Sequence, residues 1–188
     1  MTETIVQTSI DSTEIPLGLC AQIREDWIAH GRDWTKPGFR AIAVHRFSTW
    51  RMHIKTWALR VPFTWIYRMM FRRVRNHYGI EIAEFAKVGR RVVIEHQSCI
   101  VIHGDTLIGD ECIIRQGVTL GNRNLDRPHD APKLGKRVNV GAGAKILGAV
   151  TIGDGASIGA NAVVLNDVPA GALAVGIPAK VIDRGSGT

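Results

Sequence analysis

The sequence predicts a mainly β protein: a parallel β-helix of hexapeptide repeats preceded by a short α-helical region. Three observations carry that prediction. Aliphatic residues recur every six positions beyond Gly79. Most of the 20 glycines lie in the same stretch, where they suit repeated tight corners. Before Gly79 the apolar residues recur instead at three- and four-residue intervals, the spacing of a helix face.

The 188 residues suffice for one sizeable domain. Residues 1–16, MTETIVQTSIDSTEIP, are polar and acidic and are expected to be disordered. They have neither the basic start nor the apolar centre of a signal peptide. The helical region is predicted over residues 17–79. Helical spacing runs from Leu19 to His30 and from Phe39 to Lys55, with Pro37-Gly38 between the two. A third helix is expected to begin at Pro62, a favoured first-turn residue, and to end near Gly79. Its segment TWIYRMMFRRVRNHYG sets an aromatic and aliphatic stripe against arginines. The stripe reads as a helix-packing face, with a membrane-surface or oligomer contact as the alternative. VPFTWIY (61–67) is far shorter than the about 20 residues a bilayer span needs. Three widely spaced cysteines, Cys20, Cys99 and Cys112, give no disulfide framework. A reducing, cytoplasmic location is therefore expected.

The net charge of +7 is unevenly placed: residues 1–80 hold 12 Lys/Arg against 6 Asp/Glu, and residues 81–188 hold 12 against 11. The basic excess of the helical region reads as a solvated surface. Peripheral contact with an anionic membrane is the sharper alternative, and no motif supports nucleic-acid binding.

The β-helix is predicted over residues 80–168, followed by a C-terminal segment over 169–188. Its aliphatic positions are Ile82, Val88, Ile94, Ile100, Ile108, Ile114, Leu120, Leu134, Val140, Ile146, Ile152, Ile158 and Val164. Four positions after most of them stands a small or β-branched residue, such as Ala86, Cys112, Ala144 or Ala156. Each hexad supplies one short strand and one corner, and three hexads make a triangular coil with equivalent positions stacked about 4.8 Å apart. Two intervals break the count. Ile100 to Ile108 leaves two extra residues, placed near His103-Gly104; Leu120 to Leu134 leaves a polar loop over residues 122–133. Insertions of the second kind line binding faces in repeat proteins.

Stacking arithmetic puts Ile94, Ile114, Val140 and Ile158 on one face, so His96, Gln116, Ala142 and Ala160 form a column along one corner. Small corner residues leave a shallow channel that suits a long thin ligand such as the pantetheine arm of coenzyme A; good corner packing explains them equally well. Glu81 lies one rung below His96 and three residues further round. A carboxylate on one imidazole nitrogen would leave the other as general base. A surface histidine and an unrelated glutamate is the competing reading.

The segments EHQSCIVI, QGVTLGN and GAGAKILG, within residues 79–182, resemble the catalytic region of bacterial serine O-acetyltransferases and of the acetyltransferases of exopolysaccharide and capsule biosynthesis. The resemblance implies a left-handed β-helix and a homotrimer with acetyl-CoA as co-substrate and no metal. It makes His96 the catalytic base and Glu81 its acidic partner. Glu95 would help hold the acceptor, and Asp26 matches a serine-binding aspartate. Acetyl-CoA would lie near Gln116, Gly121, Asn122, Ala142 and Ala160, between neighbouring subunits. The implied reaction is direct attack of a hydroxyl, with L-serine as the first acceptor.

Three departures qualify that expectation. Where the family has Arg-His before Pro-Lys, this chain has Asp130-Ala131, with Arg127 and His129 displaced nearby as candidate acceptor contacts. A sugar or polysaccharide precursor is the alternative acceptor. The helical region is shorter than the family's, which favours a trimer over its hexamer. The tail DRGSGT lacks the family's extension ending in Ile that docks a sulfhydrylase. A γ-type carbonic anhydrase would need a histidine pair five apart, which the repeat region lacks. A non-catalytic scaffold would leave the acid–histidine pairing without a purpose.

Overall fold

The computed structural model describes residues 17–182. The disorder expected of residues 1–16 and the tail DRGSGT lie outside the described residues. Three helices come first: α1 (Leu19–Ala29), α2 (Pro37–Met52) and α3 (Trp57–Tyr78). Pro37 sits in the first turn of α2, where its missing N–H costs nothing. Gly79, at φ 61°, closes α3 in the left-handed conformation expected of it.

The start of α3 differs from expectation. The helix begins at Trp57, which leaves Pro62 inside it. Pro62 removes the one bond that would reach the carbonyl of Ala58, and that early turn is exposed to solvent, where water can satisfy it. The apolar stripe of α3 is also divided. Tyr67 and Val74 are buried, with Phe71 and Tyr78 packed beside them, whereas Trp57, Leu59, Trp65, Ile66 and Met69 face solvent.

The rest of the described chain winds into a parallel β-solenoid. The first coil is β1 (Ile80–Ile82), β2 (Lys87–Val88) and β3 (Val93–Glu95). The second is β4 (Ile100–Ile102), β5 (Leu107–Ile108) and β6 (Ile113–Arg115). The third is β7 (Thr119–Gly121), β8 (Lys133–Leu134) and β9 (Asn139–Val140), and the fourth β10 (Lys145–Leu147), β11 (Thr151–Ile152) and β12 (Ser157–Ile158). β13 (Val163–Val164) and β14 (Leu173–Val175) continue the stack, with Val168 bridged to Ile152 between them. β15 (Lys180–Ile182) then pairs antiparallel with β14. The faces are three sheets, β1-β4-β7-β10-β13, β2-β5-β8-β11 and β3-β6-β9-β12-β14-β15. Ile114, Leu120, Ile146 and Ile152, drawn from all three faces, are each fully buried, so the aliphatic of each hexad points inward as its spacing requires.

The coil corners use left-handed backbone. Between the second and third faces the positive φ falls on Arg91, Glu111, Arg137, Gly155 and Gly171; between the third and first faces it falls on Cys99, Gly117, Gly143 and Asn161. Each lies two positions before a strand except Cys99, which directly precedes β4 but stands two residues before Val101, the partner of Thr119, so one turn geometry is repeated up the prism.

The smaller insertion is displaced from its expected place. Ile102, not Ile100, is the partner of Ile82 and of Leu120, and Ile100 pairs with Ile80. Ile102 to Ile108 is therefore a regular hexad, and His103 lies in an ordinary corner. The two extra residues fall between Ile94 and Ile102, in the corner Glu95–Cys99. Both Ile100 and Ile102 are buried, so hexad counting alone fits either phase.

The helices close the open end of the first coil. Asp26, 1% exposed, holds the guanidinium of Arg46 at 2.9 Å. The same guanidinium donates to the carbonyls of Val88 and Gly89 at the end of β2. Arg51 bonds Glu84 and stacks 4.8 Å from the Tyr67 ring. Arg90 bonds Glu25 of α1 at 3.0 Å.

Candidate active site

The corner after β3 is the irregular point of the solenoid. Besides Cys99 at the standard left-handed position, His96 (φ 66°) and Ser98 (φ 91°) are also left-handed. Non-glycine residues in that region are uncommon and persist only where neighbours hold them. Here the neighbours are visible. Ser98 donates its N–H to the carbonyl of Tyr78, Ile100 donates to that of Gly79, and Gly117 donates to the carbonyl of Ser98. A Cβ on Gly79 would lie 3.1 Å from the amide nitrogen of Cys99. The end of α3 thus presses on the corner from below, and the bulged loop turns His96 outward into solvent.

The predicted column is present in the register. Ile94, Ile114, Val140 and Ile158 stack in the third sheet, so Gln116, Ala142 and Ala160 follow one another above the His96 corner. Amide bonds link the rungs, from Gly143 to the carbonyl of Gln116 and from Asn161 to that of Ala142. Among the described residues the buried side-chain oxygen of Gln116 has no hydrogen-bond partner, an acceptor available beside the column. Lys145 donates its ammonium to the carbonyl of Gly117 at the same corner.

The other predicted residues divide. Glu81 sits on β1 opposite Val101, on the sheet that the His96 corner enters. Among the described residues no hydrogen bond or ion pair joins Glu81 to His96. Glu95 is taken up by Arg115 of the next coil at 2.9 Å. Gly121 and Asn122 lie at the corner between the first and second faces, a different edge of the prism from Gln116, Ala142 and Ala160. Arg127, Asp130 and His129 belong to the extruded loop that leaves from that same edge. Arg127 is 3.9 Å from Asp130, and His129 is 2.9 Å from Asp105. Within one chain the two groups do not converge. Asp26 differs most from expectation: its carboxylate is buried and committed to Arg46, so it faces the packing between α1 and α2.

Its sequence context does not single out His30. It is 1% exposed, its Nδ1 lies 2.7 Å from the carbonyl of Asp26, and its Nε2 accepts the Ile94 N–H at 3.2 Å. Those partners define a neutral imidazole with its proton on Nδ1, and burial pushes its pKa down. It thereby fixes β3 two residues before His96. Gly38 works with it: an added Cβ there would sit 2.0 Å from the carbonyl oxygen of Ile94. No local signal marks either residue. The Glu95–Arg115 pair, in contrast, follows from the same stacking arithmetic as the column, one residue beyond Ile94 and Ile114.

Residues 131–166 match the family described as bacterial transferase hexapeptide (six repeats), so the repeat places the protein among the hexapeptide-repeat transferases. The chain is 43% identical to the serine acetyltransferase of Helicobacter pylori (strain ATCC 700392 / 26695) over 148 residues, 79% of this chain and 82% of that protein. Among solved structures it resembles soybean serine acetyltransferase complexed with serine, with a TM-score of 0.74 at 31% identity over 87% of this chain and 69% of that one. It also resembles Brucella abortus strain S19 serine acetyltransferase in complex with coenzyme A, with a TM-score of 0.73 at 28% identity over 87% and 67%. The chain belongs to the serine acetyltransferase family.

Proposed function

We propose that the protein is an acetyl-CoA-dependent O-acetyltransferase, with L-serine as its first acceptor and His96 as general base. The observation that carries this reading is the bulged corner, which turns an exposed imidazole outward at the foot of the Gln116, Ala142 and Ala160 column. The relatives bound to serine and to coenzyme A support the two substrates.

In the reaction, His96 removes the proton of the acceptor hydroxyl as its oxygen attacks the thioester carbonyl. The tetrahedral oxyanion collapses, the C–S bond breaks, and the imidazolium returns its proton to the thiolate. The products are the O-acetyl ester and free coenzyme A. Glu81 is proposed to orient His96, and Glu95, already paired with Arg115, to hold the acceptor. Gln116, Ala142 and Ala160 would line the pantetheine arm.

Gly121, Asn122, Arg127 and His129 lie at another corner of the same chain. Completing the site with them calls for a neighbouring copy, which supports a homotrimer with its sites between subunits. The cytoplasm suits a reaction that consumes acetyl-CoA. A sugar hydroxyl is the second reading, favoured by one observation: Asp130-Ala131 stands before Pro132-Lys133, and Ala131 is buried, so neither residue supplies a cation to an amino acid carboxylate.

The test is release of coenzyme A from acetyl-CoA, followed with serine, homoserine, other hydroxy compounds and nucleotide sugars. Replacing His96 by Ala is expected to lower kcat/KM by about 10² to 10⁴. Undiminished transfer by that variant would sink the base assignment, and turnover with nucleotide sugars but not serine would select the second reading.

A further inference from the structure

The solvent face of α3 has no role in the chemistry proposed above, and its make-up is unusual. Trp57 is 70% exposed, Trp65 66%, Met69 67% and Leu59 61%. A soluble surface tolerates single exposed apolar residues, whereas a contiguous set marks a contact. From Trp34 to Ile80 the chain holds ten lysines and arginines and no aspartate or glutamate.

The face is graded along the helix axis. Residues seven apart share one line of an α-helix. The lines run Ala58–Trp65–Arg72, Leu59–Ile66–Arg73, Val61–Arg68–Arg75 and Pro62–Met69–Asn76. Each begins apolar, and three of the four end in arginine. Among the described residues Arg60, Arg68, Arg72 and Arg73 have no ion-pair partner. The helix is about 33 Å long at 1.5 Å per residue, yet no helix of the described chain is long and apolar enough to cross a membrane.

We propose that α3 docks the protein on an anionic lipid surface, lying along it. Its tryptophans and aliphatics would enter the headgroup boundary, with the arginines against lipid phosphates. Tryptophan, aliphatic and arginine on one helix face is the combination such an interface selects. The charge argues against a twofold contact of α3 with itself, which would bring two arginine-rich, acid-free faces together with nothing to neutralise either. The arginine end of α3 also adjoins the His96 corner, since Tyr78 accepts the Ser98 N–H. Docking would therefore hold the candidate active site beside the headgroup layer. The proposal does not rest on the acetyl-transfer reading.

The experiment is co-sedimentation of the full chain with vesicles of phosphatidylcholine alone, and with about 30% phosphatidylglycerol added. Binding is expected to the anionic vesicles only, and to weaken as salt rises from about 0.1 to 0.5 M. Arg68→Glu/Arg72→Glu/Arg73→Glu and, separately, Trp57→Ala/Trp65→Ala are each expected to weaken it by about tenfold or more. All five residues are exposed, and thermal unfolding of each variant checks that the fold is kept. Absence of binding to anionic vesicles, equal binding to neutral ones, or binding that survives the triple reversal overturns the proposal. So does a fall in assembly mass on ultracentrifugation of the tryptophan variant, which would show that the face is covered by a second copy.

Discussion

The helices and the β-solenoid are held by different physics. Among the described residues the helical region buries Asp26, His30, His45, Arg46, Ser48 and Arg51, whereas in the solenoid Thr106 is the one polar residue buried as a whole. Within the solenoid each strand finds its hydrogen-bond partners in the coils above and below, so an aliphatic at each inward position is enough. The first coil has no coil below it. There β2 and β3 are edge strands, and their free groups must be satisfied by something else. Arg46 donates to Val88 and Gly89, and His30 accepts from Ile94. The buried polar residues of the helices thus do for the terminal coil what another coil would have done.

That contrast can be broken at its strongest point by Asp26→Ala. The substitution leaves the Arg46 guanidinium buried without its counter-ion and is expected to cost about 3–5 kcal/mol in urea unfolding. Replacing the pair together, Asp26→Leu with Arg46→Met, should cost less than the single change. A double variant as unstable as Asp26→Ala would show that the bonds to Val88 and Gly89, not the pairing, carry the junction.

Gly38→Ala tests the fit of α2 against β3. The new methyl meets a backbone carbonyl that cannot swing aside, so a loss toward the upper end of about 1–3 kcal/mol is expected. Because Ile94 is displaced two residues before His96, acetyl transfer should fall as well. Unchanged stability and unchanged turnover together would remove Gly38 from the account.

The smallest effect depends on pH. Burial, with the neighbouring Arg46 charge, pushes the pKa of His45 down to about 4. Its folded pKa is thus below its unfolded value of about 6.5. The stability of the neutral, buried form is complete above pH 6.5 and is lost as pH falls toward 4, by about 2 kcal/mol between pH 7 and pH 5. His45→Leu does not titrate, so the Tm of the wild type should fall relative to that of the variant from pH 8 to pH 5. A constant difference would assign the acid sensitivity to other groups.

Much of the solenoid was legible because a hexad is a local statement. Counting by six gave the stack of Ile94, Ile114, Val140 and Ile158, and through it the column of Gln116, Ala142 and Ala160. The polar loop before Leu134 was legible for the same reason. The smaller insertion was not, because Ile100-Val101-Ile102 offers two isoleucines, either of which satisfies the period. The place of Asp26 is not legible, because a carboxylate near a helix reads the same whether it faces a ligand or an arginine twenty residues on.

By itself the sequence determined the repeat, its inward aliphatics and the family, since each depends on residue type at short, regular separations. Only the tertiary structure decided where the corner bulges and what closes the first coil. The pairing of Ile80 with Ile100, and of Ile82 with Ile102, moved the two extra residues into the His96 corner. The end of α3 then held that corner in its left-handed turns. Such choices come from hydrogen bonds between groups far apart in the chain, and no local period encodes them.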